Sequence, residues 1–130
     1  MRNITRLMID EYNLKDIDFM GYKFRKSEAS FHHLIVPARN NGKETIENGA
    51  VLNANTSHPY LHLIECFDYD KFLAITNEMI EENMLGRIDS NCLKRIDEIL
   101  REFEKENKNR RTSKGKMLIK EEFTRRIRQI

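Results

Sequence analysis

Apolar residues recur along this chain at two different intervals, and the change of interval marks out the elements. Ile4, Leu7 and Met8 share one face at helical spacing, which predicts a short helix over 3–12. Asp18 to Phe24 alternates weakly and reads as a strand or an irregular lead-in. Phe31 to Val36 is a short apolar run stopped by Pro37, and Ala50-Val51-Leu52 is a second. With Asn40-Asn41-Gly42 between them to turn the chain, residues 31–53 read as a hairpin.

Helical spacing then returns. Thr56-Ser57 is a candidate N-cap, Pro59 is compatible with a first turn, and Tyr60, Leu61, Leu63 and Ile64 carry the helix to about Cys66. Phe72, Ile75, Met79 and Ile80 predict a helix over 69–83 that Gly86 ends. Leu93, Ile96, Ile99, Leu100 and Phe103 predict another from Ser90. These stripes read as core or helix-pairing positions. Residues 105–116 are polar and basic, contain Gly115, and read as a mobile linker. Residues 117–130 could form a last basic helix, with Ile119, Phe123, Ile127 and Ile130 on its apolar side. No internal repeat is present.

Length and composition narrow the class. A chain of 130 residues is one domain's worth, and 39% hydrophobic content allows one modest core. No run of about 18 apolar residues exists to span a membrane, and Met1 to Arg6 lacks the apolar stretch of a secretory signal. Cys66 and Cys92 stand far apart with no CxxC pair, which argues against a disulfide framework or a zinc ribbon and for a reducing cytoplasm. The net charge of +2 conceals an asymmetry: residues 60–106 carry 12 acidic against 6 basic side chains, and 107–130 carry 2 against 9. A basic tail of this kind is either a solvated end or an electrostatic arm for DNA. Its apolar side also allows docking on the domain or on a second subunit.

All four histidines, His32, His33, His58 and His62, fall within 31 residues. His58 and His62, four apart on a helix, point the same way and can share one metal ion. His32 and His33, adjacent on a strand, point to opposite sides, so one can face a metal and the other a substrate. Two histidines at helical spacing are by themselves more often a surface coincidence than a site. The adjacent pair, Asn48 and the glycine-containing turn reverse those odds.

The ordered set Phe31-His32-His33-Leu34-Ile35-Val36-Pro37, Asn41-Gly42-Lys43, Glu47-Asn48-Gly49-Ala50-Val51-Leu52 and Ser57-His58-Pro59-Tyr60-Leu61-His62 resembles the HNH nuclease motif, in its colicin-like form. The resemblance covers roughly residues 30–66. It implies an α+β fold: a ββα-metal core within 1–67, preceded by an N-terminal helix and followed by a helical extension over 68–106 and the basic tail of 107–130. It further implies that His33 is the general base, that His32, His58 and His62 hold one divalent cation, and that Asn48 braces the hairpin and helps hold the base. The implied cofactor is Mg²⁺ or Mn²⁺, with Zn²⁺ or Ni²⁺ able to occupy the site.

Such a protein would hydrolyse phosphodiester bonds in DNA, by nicking or double-strand cleavage, and small free-standing HNH proteins resemble those of phages and mobile elements. Arg39 and Lys43 in the hairpin loop, and Arg110, Arg111, Lys114, Lys116, Arg125 and Arg126 in the tail, are the candidate phosphate contacts. On base rates, loop residues such as Arg39 and Lys43 are as often merely solvated. The sequence departs from many HNH members in lacking two CxxC pairs. Local stability must then come from Phe31, Ile35, Val51, Leu61 and Ile64. Two alternatives remain open: a non-catalytic nucleic-acid-binding or regulatory module on the same scaffold, and a nuclease subunit that needs a partner, or a second copy, on its C-terminal helices.

Overall fold

The computed structural model describes residues 3–110. It is a mixed α+β arrangement with four α-helices and one two-stranded antiparallel sheet among the described residues. Helix α1 spans Asn3–Glu11, strand β1 Ala29–His33, strand β2 Gly49–Asn53, and helices α2, α3 and α4 span Ser57–Phe67, Tyr69–Leu85 and Ser90–Asn107. None of these helices is long and apolar enough to cross a membrane. The tail positions Arg111, Lys114, Lys116, Arg125 and Arg126, and the helix expected over 117–130, lie outside the described residues.

The strands pair in the register Phe31↔Val51, His32↔Ala50 and His33↔Gly49. Strand β2 is buried along its whole length and packs against β1, α1, α2 and α3. Gly49 is required by a close approach: a Cβ there would stand 2.4 Å from the Phe31 ring and 2.9 Å from the Met8 sulfur. The buried side chains form one cluster in which Phe19, Tyr22, Leu52, Tyr60, Ile64, Met79 and Phe103 are fully enclosed.

The helices form where the apolar spacing places them. In α3, Ile75 and Met79 are buried, and Gly86 closes the helix in the left-handed region at φ 73°. In α4, Leu93, Ile96, Leu100 and Phe103 turn inward, so this stripe is buried within the chain's own core. Asp68 and Asp89 cap α3 and α4 by accepting from the backbone N–H of Lys71 and Cys92.

Four expectations are corrected. The first strand ends at His33 rather than Val36, because the next backbone groups are captured by one side chain: Asn48 Oδ1 accepts from the N–H of Ile35 and of Val36 at 2.9 and 2.8 Å. Ile35, expected to pack, is consequently 60% exposed. Thr56 precedes α2 without a side-chain capping bond, and Ser57 turns inward instead. Residues 105–107, assigned to a linker, complete α4, where buried Asn107 donates to the Phe103 carbonyl.

Candidate metal centre

The sheet and α2 bring three imidazoles to one point. His32 comes from β1, and His58 and His62 from successive turns of α2, with ring centroids 5.0 to 5.2 Å apart. One nitrogen of each lies within 4.8 Å of the others. Pro59 sits in the first turn of α2, where backbone N–H groups have no helical partner, so it leaves both histidines on the regular helix.

Hydrogen bonds fix how these rings present themselves. Ser30 Oγ donates to the Leu52 carbonyl at 2.9 Å and lies 2.8 Å from His58 Nδ1. A hydroxyl has one proton to give. Ser30 therefore accepts from His58 Nδ1–H, and the His58 Nε2 lone pair is directed at the cluster. On the other side His62 Nδ1 meets Glu65 Oε1 at 3.1 Å, which leaves His62 Nε2 for a ligand role. A carboxylate behind a histidine in this way is a common support for a metal-binding imidazole. Neither Ser30 nor Glu65 stands out in the sequence; the only signal for Glu65 is its place three residues after His62 on the helix.

The donor set fits a cation. Burial, followed by the nearby charges of His58, His62 and His33, pulls His32 down to about 3. Burial, then His62 and His33, pulls His58 down to about 4. Both rings are neutral near pH 7, with lone pairs available. His32 Nδ1 lies 3.3 Å from His58 Nε2. Two nitrogens bound tetrahedrally to one ion at about 2.0–2.1 Å would lie about 3.4 Å apart. Three imidazoles without a carboxylate suit Ni²⁺ or Zn²⁺ better than Mg²⁺ or Mn²⁺.

A second grouping, Glu78, Glu81 and Cys92, does not fit. Arg95 already neutralises it, at 2.7 Å from Glu78 and 3.1 Å from Glu81. Burial, then the charges of Glu82 and Glu81, raises the Cys92 thiol to about 12, so no thiolate is available.

The three histidines open into a cleft of about 850 Å³. His33 lines the same cleft, its ring set edgewise 4.9 Å from Phe31, so the two adjacent strand histidines serve one cavity. Asn48 is buried, with Nδ2 donating to the Val36 and Lys43 carbonyls in addition to the two bonds at Oδ1. It braces the loop that follows His33. Arg39 lines the histidine cleft, whereas Lys43 lies in a separate groove beside Asn48. Arg110, away from this cleft, stacks over Phe67 at 4.6 Å.

Asp18 and Glu82 are buried acids without sequence signals. Asp18 accepts from the N–H groups of Met20 and Tyr22 at one oxygen, and from Asn53 N–H and Ser57 Oγ at the other. It anchors the start of α2 one residue before His58. Comparison with protein-family models, with curated proteins and with solved structures gave no match.

Proposed function

We propose that the protein is a metal-dependent endonuclease of the HNH type that hydrolyses phosphodiester bonds in DNA. The observation that carries this reading is the division of labour among four histidines in one cleft. Three direct nitrogens at a common point, and the fourth, His33, lines the same cavity outside that group. The chain order β1, β2, α2, with histidines on the first strand and on the helix, supports a ββα-metal core.

In this reading His32, His58 and His62 hold the ion, with His58 and His62 oriented by Ser30 and Glu65. The bound divalent cation would supply positive charge to the scissile phosphate and the leaving 3′ oxygen. His33 takes the proton from the attacking water as the new P–O bond forms and the P–O3′ bond breaks. Arg39, in the same cleft, balances phosphate charge.

Supercoiled plasmid incubated with the protein and Mn²⁺, Ni²⁺, Zn²⁺ or Mg²⁺ tests the proposal. Nicking or linearisation that stops with EDTA and with His33→Ala is the expected result. Cleavage that survives either change, or no cleavage with any of the four ions, would overturn it.

A further inference from the structure

The histidine cleft has a second wall of a different chemistry. Tyr69, Phe72 and Leu73, all on the first turns of α3, face into the same cavity. Tyr69 and Phe72 are stacked, with centroids 5.6 Å apart and planes at 27°. Phe72 is half-buried against the core, whereas Tyr69 is 55% exposed. An aromatic pair with one ring anchored and the outer ring open is unexplained by packing alone, because a core role would bury both rings.

Charge settles which part of a nucleic acid could reach this wall. Asp68 and Asp70 flank Tyr69 in sequence, at the junction and on α3. The nearby cation, Lys71, is held by Asp68 at 3.1 Å and by Glu106 at 2.7 Å, with Glu102 at 3.7 Å. The flank of this wall is net acidic, which disfavours phosphate beside it. Arg39, together with a cation that the three neutral histidines would hold, makes the side that attracts it. A ligand that suits both sides carries an anionic group and, next to it, a flat apolar face. A nucleotide has that composition.

We propose that Tyr69, backed by Phe72, is a stacking platform for an unpaired nucleobase adjoining the phosphate at the histidine centre. The proposal rests on the nuclease reading and adds a substrate class to it: single-stranded or locally opened nucleic acid. In an intact duplex both faces of a base are covered by its neighbours, so only a base free of the stack can lie on Tyr69.

The test pairs binding with cleavage. Short single-stranded DNA carrying 2-aminopurine at each position in turn, and the corresponding duplexes, are titrated in EDTA with the full chain, Tyr69→Phe and Tyr69→Ala. The platform predicts quenching of 2-aminopurine by the unaltered protein and by Tyr69→Phe, and loss of that quenching in Tyr69→Ala. Single-strand affinity should fall about tenfold or more in Tyr69→Ala, with duplex affinity unchanged. Equal weakening for single strand and duplex, or unchanged single-strand binding, overturns the platform. Plasmid cleavage with His33→Ala as control is run in parallel. His33-dependent cleavage without Tyr69-dependent quenching rejects the platform and keeps the nuclease. Quenching without cleavage rejects the nuclease and keeps the base site.

Discussion

Ser57 donates its hydroxyl proton to Asp18 across 39 residues of sequence, and this buried bond ties the irregular lead-in before β1 to the first turn of α2. The same carboxylate accepts from Asn53 N–H at 2.9 Å, at the end of β2. One side chain therefore fixes the strand-to-helix corner from which His58 projects. Burial raises Asp18 to about 6 while its four hydrogen bonds pull the other way, so it is ionised near pH 7.

Removing that carboxylate should be costly. Asp18→Ala removes the acceptor of three backbone N–H groups and one hydroxyl. Asn53 N–H keeps Ser57 Oγ at 3.0 Å, whereas the N–H groups of Met20 and Tyr22 lose theirs in the interior, at about 1–3 kcal/mol for each left unpaired. A net loss of about 3–5 kcal/mol is expected in urea unfolding, with weaker metal binding because His58 loses its anchor. Asp18→Asn, which keeps one acceptor oxygen, should lose clearly less. Equal stability of Asp18→Ala and the unaltered protein would contradict this role.

Ser30 and Glu65 should act on the metal rather than on the fold. Ser30→Ala removes the acceptor that holds the His58 proton on Nδ1, and Glu65→Ala removes the support behind His62. Each should weaken Zn²⁺ or Ni²⁺ binding by roughly 10- to 100-fold in calorimetry. Thermal unfolding of the apoprotein should move little in Glu65→Ala, because the His62–Glu65 pair is at the surface. Unaltered affinity in both variants would show that neither residue orients a ligand.

The parts of this picture visible in the sequence are those set by local spacing. The stripes Ile75/Met79 and Leu93/Ile96/Leu100 predict α3 and α4 because helical periodicity depends only on neighbours three and four residues away. His58 and His62 are visible as a pair for the same reason. Long-range contacts leave no such trace: Asp18 finds Asn53 and Ser57 at separations of 35 and 39 residues. Ile35 and Val36 look like strand residues, yet Asn48, 13 and 12 residues later, intercepts their N–H groups. Phe72 has the spacing of a core residue and does pack on the core, but its position against Tyr69 in the cleft wall appears only in three dimensions.

His33 and the three clustered histidines should separate cleanly by kinetics and binding. His33→Ala is expected to lower kcat by about 10²–10⁴-fold, the usual contribution of a general base, with Ni²⁺ affinity unchanged. His32→Ala should abolish metal binding and, with it, cutting, since His32 supplies the buried member of the set. Loss of metal binding in His33→Ala would move that residue from base to ligand.

Folding stability should depend on pH through one buried acid. Glu82 is fully buried on α3; Oε2 accepts from Asp89 N–H at 3.1 Å and Oε1 has no partner. Burial, with smaller contributions from the charges of Asp18, Asp89 and Glu78 against one opposing hydrogen bond, raises its carboxyl from 4.5 to about 9. The folded state thus holds a proton that the unfolded state releases. The favourable contribution is complete below the unfolded value of 4.5 and is lost progressively as pH rises toward about 9, at about 1.4 kcal/mol per pH unit. Glu82→Gln, neutral at every pH, removes the dependence. The stability gap between Glu82→Gln and the unaltered protein should therefore widen in favour of the variant between about pH 5 and about pH 8.5. Urea midpoints measured across that range check the sign, and two curves that stay parallel would show that Glu82 does not fold protonated.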